Sequence, residues 1–430
     1  MRYISSSSLV APAREFYVDW PQFVPMQQEF DAREVVDLEG VLVEGIRTVL
    51  DRTCVKPGES VAVGVGSRGV SPIQQVTIAV VRELKASGLR PFIVPAMGSH
   101  GGGTAEGQRH VLAERGITEL DVGAPIRATM ETNVLGTTPH GVDVHMDLNA
   151  FSADHVVIIA RVKPHTSFRS DIESGLCKML SVGLGKRAGA ASIHEASLAQ
   201  TIPEAATVGI DSGKLLFGVA LVENAFDRPY LARVCPPHEF HQTDRELLIE
   251  AKRILPGIPT DQLDLLIVDE IGKDISGTGM DTNVIGMWRR IGGERTPDYG
   301  FLSVLRLRQT SDGNAVGIGM ADFTTQTLVD AIDREQTYVN ALTALAPLMV
   351  RIPLTLANDR DCLEAAIGLA QRAGGSDVRL GRIKNTLEIE TFSVTPPVAE
   401  EMHLAGLATP AGNPAPLRFD SHGNLIDIAP

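Results

Sequence analysis

SVAVGVG, residues Ser60 to Gly66, is a short apolar run rich in valine and closed downstream by the turn Ser67-Arg68-Gly69. A run of this length and composition reads as a buried strand. The apolar-periodic segment Ile73 to Leu84 that follows reads as a helix, so the unit is strand, loop, helix. The pattern then repeats. Arg90 to Ala96 is a strand, Met97 to Gly103 a glycine-rich loop, and Thr104 to Arg115 a helix with Thr104 as its N-cap. Strands alternating with helices predict α/β architecture. Loops at the carboxyl ends of such strands are where open α/β sheets place their ligands.

Working outward, HVVIIARV (His155 to Val162) is another buried strand, stopped by Lys163-Pro164-His165. Asp171 to Ser197 mixes helix formers with Gly175, Gly183, Gly185 and Gly189, and reads as helix, glycine-rich turn, helix. Two more strands, Lys214 to Glu223 and Tyr230 to Val234, and a helical stretch from Glu239 to Ile254 complete the first half. Leu255-Pro256-Gly257-Ile258-Pro259 is the linker candidate. Beyond it, Leu263 to Glu270 leads into a second glycine-rich loop, Gly272 to Gly279, and strands and helices alternate to about residue 395. The expectation is two α/β domains with the active site in the interdomain cleft: residues 1–256, a smaller domain over 257–395, and a tail, 396–430, packing back on the N-terminal domain.

Composition excludes several classes. Asp and Glu number 53 against 39 Lys and Arg, a formal charge of −14 that repels a phosphate backbone, so nucleic acid is not the expected partner. The longest apolar runs are far short of the roughly 20 residues that span a bilayer, so no membrane association is expected. Residues 1–10 lack the apolar core of a secretory signal, and a cytoplasmic location is the default expectation. The four cysteines, Cys54, Cys177, Cys235 and Cys362, are widely spaced, against a disulfide framework or a structural zinc site. GxxxxGK[ST], GxGxxG after a strand and GxSxG are all absent, which leaves the chemistry to a set of His, Lys and Arg side chains.

Three histidines occupy positions where a strand or a glycine turn delivers a side chain to a crevice. His100 sits in Gly98-Ser99-His100-Gly101-Gly102-Gly103, His165 directly behind Pro164, and His194 in AGAASIHEAS after the Gly183–Gly189 turn. Each also has a plain reading, as a solvated loop residue, a capping residue and a satisfied helix residue. Lys178, in LCKML, has a buried stem and needs either a covalent fate or an ion pair with Asp171 or Glu173. Arg68 offers a planar fork to a carboxylate at a strand edge. Lys273 offers a cation from the second glycine-rich loop.

In family order, Ser67-Arg68, Gly98-Ser99-His100, Pro164-His165, Lys178 and His194 resemble the nickel-dependent lactate racemase family, whose members carry a nickel-pincer nucleotide (pyridinium-3-thioamide-5-thiocarboxylic acid mononucleotide nickel). The resemblance implies His194 as the nickel ligand and Lys178 as the attachment point of the pincer thioamide. It further implies that Gly183, Gly185 and Gly189 admit the nucleotide phosphate, with Lys186 or Arg187 supplying charge. His100 and His165 become the catalytic acid/base pair, Arg68 the carboxylate clamp, and Lys273 a helper in substrate binding. The segment after His165 departs from the lactate enzymes in carrying Phe168, Arg169, Asp171 and Glu173, so Arg169 is read as binding a substrate more polar than lactate.

Chemistry favours the same reading. Abstracting the C2 proton of a 2-hydroxy acid leaves a carbanion beside a carboxylate, which a histidine of pKa about 6.5 cannot support, and general-base help supplies only about 10²–10⁴-fold. Hydride removal with proton transfer to histidine avoids the carbanion and leaves the hard chemistry to the cofactor. The expected function is therefore an isomerase, a racemase or epimerase of a 2-hydroxy acid, matured by pincer biosynthesis proteins. The alternatives are a non-catalytic pincer-nucleotide binding protein and a plain divalent-metal lyase.

Overall fold

The computed structural model describes residues 18–66, 72–375 and 377–426. Two units emerge, one of Asp31–Leu255 and one combining Met1–Phe30 with Pro256–Pro430. The first strand, β1 (Gln22–Gln27), belongs to the second of these.

Along the Asp31–Leu255 unit the strands are β2 (Ser60–Val65), β3 (Arg90–Pro95), β4 (Thr132–Thr137), β5 (Asp143–Asp147), β6 (His155–Arg161), β7 (Leu215–Glu223) and β8 (Pro229–Cys235). Five of them form one sheet in the order β3-β2-β6-β7-β8, while β4 and β5 pair as a separate antiparallel hairpin. β3, β2, β6 and β7 run parallel, and β8 closes the edge antiparallel. The valine-rich strands are explained by burial on both faces. Ala62, Val94, Val156 and Ile158 pack on one side under the helices Leu198–Asp211 and Phe240–Arg253. Their alternating neighbours Val61, Val63, Ile93 and Val157 pack on the other under Leu38–Leu50 and Ile73–Ala86. Each fully buried aliphatic side chain contributes about 1.5–3 kcal/mol, which is why the period-two run holds a central place in the sheet.

The chain steps from β2 outward to β3, then crosses back over β2 to β6. The order therefore reverses between β2 and β6, and this reversal opens a crevice at the carboxyl ends of the strands.

In the second unit the strands continue as β9 (Gln262–Ile271), β10 (Asp298–Leu307), β11 (Phe323–Thr325), β12 (Leu354–Leu356), β13 (Leu380–Ile383), β14 (Thr391–Val394), β15 (Thr409–Pro410) and β16 (Ala415–Pro416). Its sheet runs β12-β11-β10-β9-β13-β14-β1-β15, with β16 also on β1. β9 is its central strand, with Leu265 to Val268 completely buried. The division differs from the expectation in two respects. Residues 18–30 pair through β1 with β14 and so join the C-terminal sheet rather than residues 31–255. The tail does reach the N-terminal segment, since β15 and β16 pair with β1, but that places it too in the second unit. No helix among the described residues is long and apolar enough to cross a membrane.

Candidate active site

His100 and His165 both leave the carboxyl edge of the five-stranded sheet, the first after β3 and the second after β6. One strand, β2, lies between them. At a strand spacing of about 4.8 Å, the ends of β3 and β6 are about 10 Å apart. Arg68, which follows β2 by three residues, lies outside the described residues.

His100 is exposed, in a loop that ends at the Thr104 N-cap, whose side chain accepts from Gly107 N–H as the sequence predicted. His165 is half-buried and its ring lies 4.5 Å from that of Phe168, centroid to centroid. Its Nδ1 accepts from Ser167 N–H at 3.0 Å. That bond assigns the ring proton of the neutral imidazole to Nε2.

Glu173 holds the His165 loop from beneath. Its fully buried carboxylate accepts from the backbone N–H of His165 at 2.8 Å and of Ser170 at 3.2 Å, and pairs with Lys252 at 2.7 Å. Arg169 is exposed, and its Nη1 donates to the His165 carbonyl at 2.9 Å and stands 3.5 Å from Glu173. Asp171 pairs with Arg245. Arg169 is thus tied into the loop as well as facing solvent.

The helix–turn–helix expected over Asp171 to Ser197 resolves into a short helix, Leu176–Lys178, a π-helical turn, Met179–Gly183, and a helix, Lys186–His194. The wide turn is marked by Leu184 N–H donating to Met179 C=O, and such turns concentrate at functional sites. Gly175 is essential at its start. Its φ is +89°, and a Cβ there would lie 2.1 Å from Asp244 Oδ1. Asp244 in turn accepts from the Leu176 and Cys177 amides at 2.9 and 2.8 Å, with burial pushing its carboxyl up to about 6. This places Lys178, half-buried, at the end of a capped turn. Gly98 N–H donates to Gly183 C=O at 3.0 Å, which binds the turn to the His100 loop.

His194 ends its helix exposed, and its Nδ1 donates to Ala190 C=O at 2.5 Å. The Nε2 lone pair is therefore the one presented outward, as a metal-binding imidazole requires.

Two expectations are corrected. Gly183, Gly185 and Gly189 are buried, and the space a Cβ would need is taken by Ala96 O at 2.8 Å, Ser181 O at 2.6 Å and the His145 Cβ at 3.2 Å. They serve close packing of this segment on the unit's own backbone rather than approach of a phosphate. Lys186 is fully buried, with Nζ 2.9 Å from Gln108 Oε1, 3.2 Å from Asp147 Oδ2 and bonded to Pro95 O. Its charge is spent inside the unit. Arg187, exposed and beside Gly103, is the cation this segment turns to solvent. Lys273 lies in the second unit, where its Nζ donates to Gly277 O at 2.8 Å within its own loop.

The sequence alone does not single out Gln108 or Asp147, and it offers Glu173 as a partner for Lys178 and as a departure from the lactate enzymes. Nothing local marks these roles, because Gln108 meets Lys186 from 78 residues away, Asp147 meets the same lysine from 39 (186 − 147), and Glu173 meets Lys252 from 79.

Residues 24–204 match the family model of the lactate racemase N-terminal domain. Comparison with curated protein sequences finds no match. Among solved structures, the lactate racemase apoprotein from Thermoanaerobacterium thermosaccharolyticum is 13% identical and aligns over 85% of this chain and 98% of its own, with a TM-score of 0.50. A Thermotoga maritima protein, also 13% identical, aligns over 81% of this chain and 88% of its own with a TM-score of 0.47. The first likeness extends the α/β fold over most of the chain, and the matched domain contains His100, His165, Lys178 and His194. Residues 24–204 are thus similar to the N-terminal domain of lactate racemases.

Proposed function

We propose that this chain racemises or epimerises a 2-hydroxy acid. The observation that carries the reading is the departure of His100 and His165 from the carboxyl ends of two parallel strands of one sheet, on either side of the strand that leads to Arg68.

The side chains fit a nickel-pincer nucleotide. Among the described residues no three His, Cys, Asp or Glu side chains converge on a metal position. His194 would be a protein ligand to the metal through Nε2, its Nδ1 being bonded to Ala190 C=O. Lys178 would hold the thioamide end and Arg187 the phosphate. When bound, the group supplies a carbon able to take a hydride from C2 and return it.

The protein's part is positioning and proton transfer. Arg68 holds the substrate carboxylate. One imidazole takes the hydroxyl proton as the C2–H bond breaks with its electron pair and the C2–O bond becomes a carbonyl. To complete the inversion, an imidazole would give a proton back to the same oxygen. With Nδ1 of His165 accepting from Ser167 N–H, a neutral His165 carries its proton on Nε2, the nitrogen left to exchange a proton with the substrate oxygen. Arg169, beside His165, favours an acid with a further polar group.

The test is made on protein produced together with the pincer biosynthesis proteins. Polarimetry with a panel of 2-hydroxy acids should show inversion in wild type and loss of at least 10²-fold in His100→Ala and His165→Ala. Elemental analysis should find near-stoichiometric nickel in wild type and in both variants, but not in His194→Ala. Nickel retention without inversion of any acid would favour a pincer-binding protein without turnover. Absence of nickel from wild type would refute the mechanism.

A further inference from the structure

The backbone carbonyls of the His100 loop are held by a buried polar chain. Gln108, fully buried in the helix Ala105–Glu114, donates from Nε2 to Gly98 O at 2.8 Å and to His100 O at 3.3 Å. Its Oε1 accepts from Lys186 Nζ at 2.9 Å. The ammonium also donates to Pro95 O, the last residue of β3, and faces Asp147 Oδ2 at 3.2 Å. Three acceptors thus surround three N–H groups.

The direction of this chain is determined by charge. An ammonium can only donate, so it fixes the oxygen end of the Gln108 amide toward itself and the NH₂ end toward the loop carbonyls. Lys186 pays for its place with a φ of +53°, a left-handed conformation that a side-chain-bearing residue keeps only where its surroundings over-determine it.

We infer that Gln108 and Lys186 are positioning residues for His100: the buried ammonium orients the amide, and the amide fixes the carbonyls on either side of Ser99, so that the imidazole is held at the carboxyl edge of β3. Lys186 also begins the helix that ends at His194, so the same ammonium ties the His194 helix to the His100 loop. The inference rests on the reading of His100 as a proton-transfer residue.

Gln108→Glu is the informative substitution, because it keeps an acceptor for Lys186 and removes the two donors to the loop. Gln108→Leu removes both functions and serves as a second variant. The full-length protein, matured with the pincer biosynthesis proteins, is measured for kcat and KM on the best hydroxy acid, for nickel, and for hydrogen exchange in the peptide covering 97–104. In Gln108→Glu we expect nickel retained, kcat lowered 10- to 100-fold, KM changed less than 3-fold, and faster exchange confined to 97–104. The amides of Gly103 and Thr104, which bond to His100 O and Gly101 O, should respond most. A kcat within 2-fold of wild type, or unchanged exchange in 97–104, overturns the inference. A wild type that turns over no hydroxy acid sinks the racemase reading instead, and exchange alone then decides: faster exchange confined to 97–104 upholds the anchoring of the loop, and unchanged exchange refutes it.

Discussion

Lys186→Met should destabilise the protein severely, and more at pH 8 than at pH 5. Lys186 and Asp147 are both completely buried and 3.2 Å apart. Burial pushes the Asp147 carboxyl up and the Lys186 ammonium down, and each partner's charge opposes the other's shift. Removing the ammonium leaves a buried carboxylate whose Oδ1 still caps Asn149 and Ala150 but whose Oδ2 has no counter-charge. Breaking one side of such a pair costs about 3–5 kcal/mol. At about 2–4 °C per kcal/mol for a domain of this size, the melting temperature should fall by about 6–20 °C at pH 8. The pH dependence follows from the sign. Without Lys186 the folded-state pKa of Asp147 rises further above its unfolded value, so the folded state binds the extra proton between the two. Stability is then fullest below the unfolded pKa and is lost as pH rises through the folded one. The assay is urea unfolding by circular dichroism at pH 5 and pH 8, on the single variant and on Lys186→Met with Asp147→Leu. The double variant should recover most of the loss, because no buried charge is left. A single variant within 1 kcal/mol of wild type at pH 8, or a double variant less stable than the single, would refute the argument.

Asp244→Asn should flatten the stability profile between pH 4 and pH 6: a carboxyl raised to about 6 from 3.8 makes wild type lose stability as pH rises through that window, and thermal melts at several pH values would show the slope persist if burial were not the cause. Gly175→Ala combines a φ of +89° with a Cβ 2.1 Å from Asp244, so a loss of about 2 kcal/mol or more is expected in denaturant titration, and a neutral result would contradict the tight cap. Thr104→Ala removes the side-chain acceptor for Gly107 N–H and should cost about 1 kcal/mol while leaving nickel content unchanged. Glu173→Ala strips the His165 loop of its buried acceptor and should lower both stability and turnover, whereas a turnover equal to wild type would mean that the loop holds its shape without it.

Much of the candidate site was legible because it is local. Strand-forming runs announce themselves by β-branched residues and burial, and a loop that follows a parallel strand must emerge at its carboxyl end, so His100 and His165 could be placed near a crevice from order alone. The Thr104 cap depends on a contact three residues away and was equally readable. Gly-Leu-Gly-Lys-Arg, by contrast, looks the same whether its lysine meets a phosphate or a carboxylate. The answer lay with Asp147, Gln108 and Pro95, which the chain brings to Lys186 from up to 91 residues away.

What the amino-acid sequence determined by itself is the alternation of strands and helices, the linker near Pro256 and the identity of the chemically capable side chains, since each follows from periodicity, turn chemistry and side-chain pKa. Only the tertiary structure decided the strand order that reverses at β2, the membership of β1 and the tail in the C-terminal sheet, and the division between glycines and lysines that pack and those that face solvent. Those outcomes depend on pairings between residues as much as 394 positions apart, as between Gln22 of β1 and Pro416 of β16. Backbone hydrogen bonds and buried contacts of that range leave no periodic trace in the chain, because their free energy appears only when the whole sheet assembles.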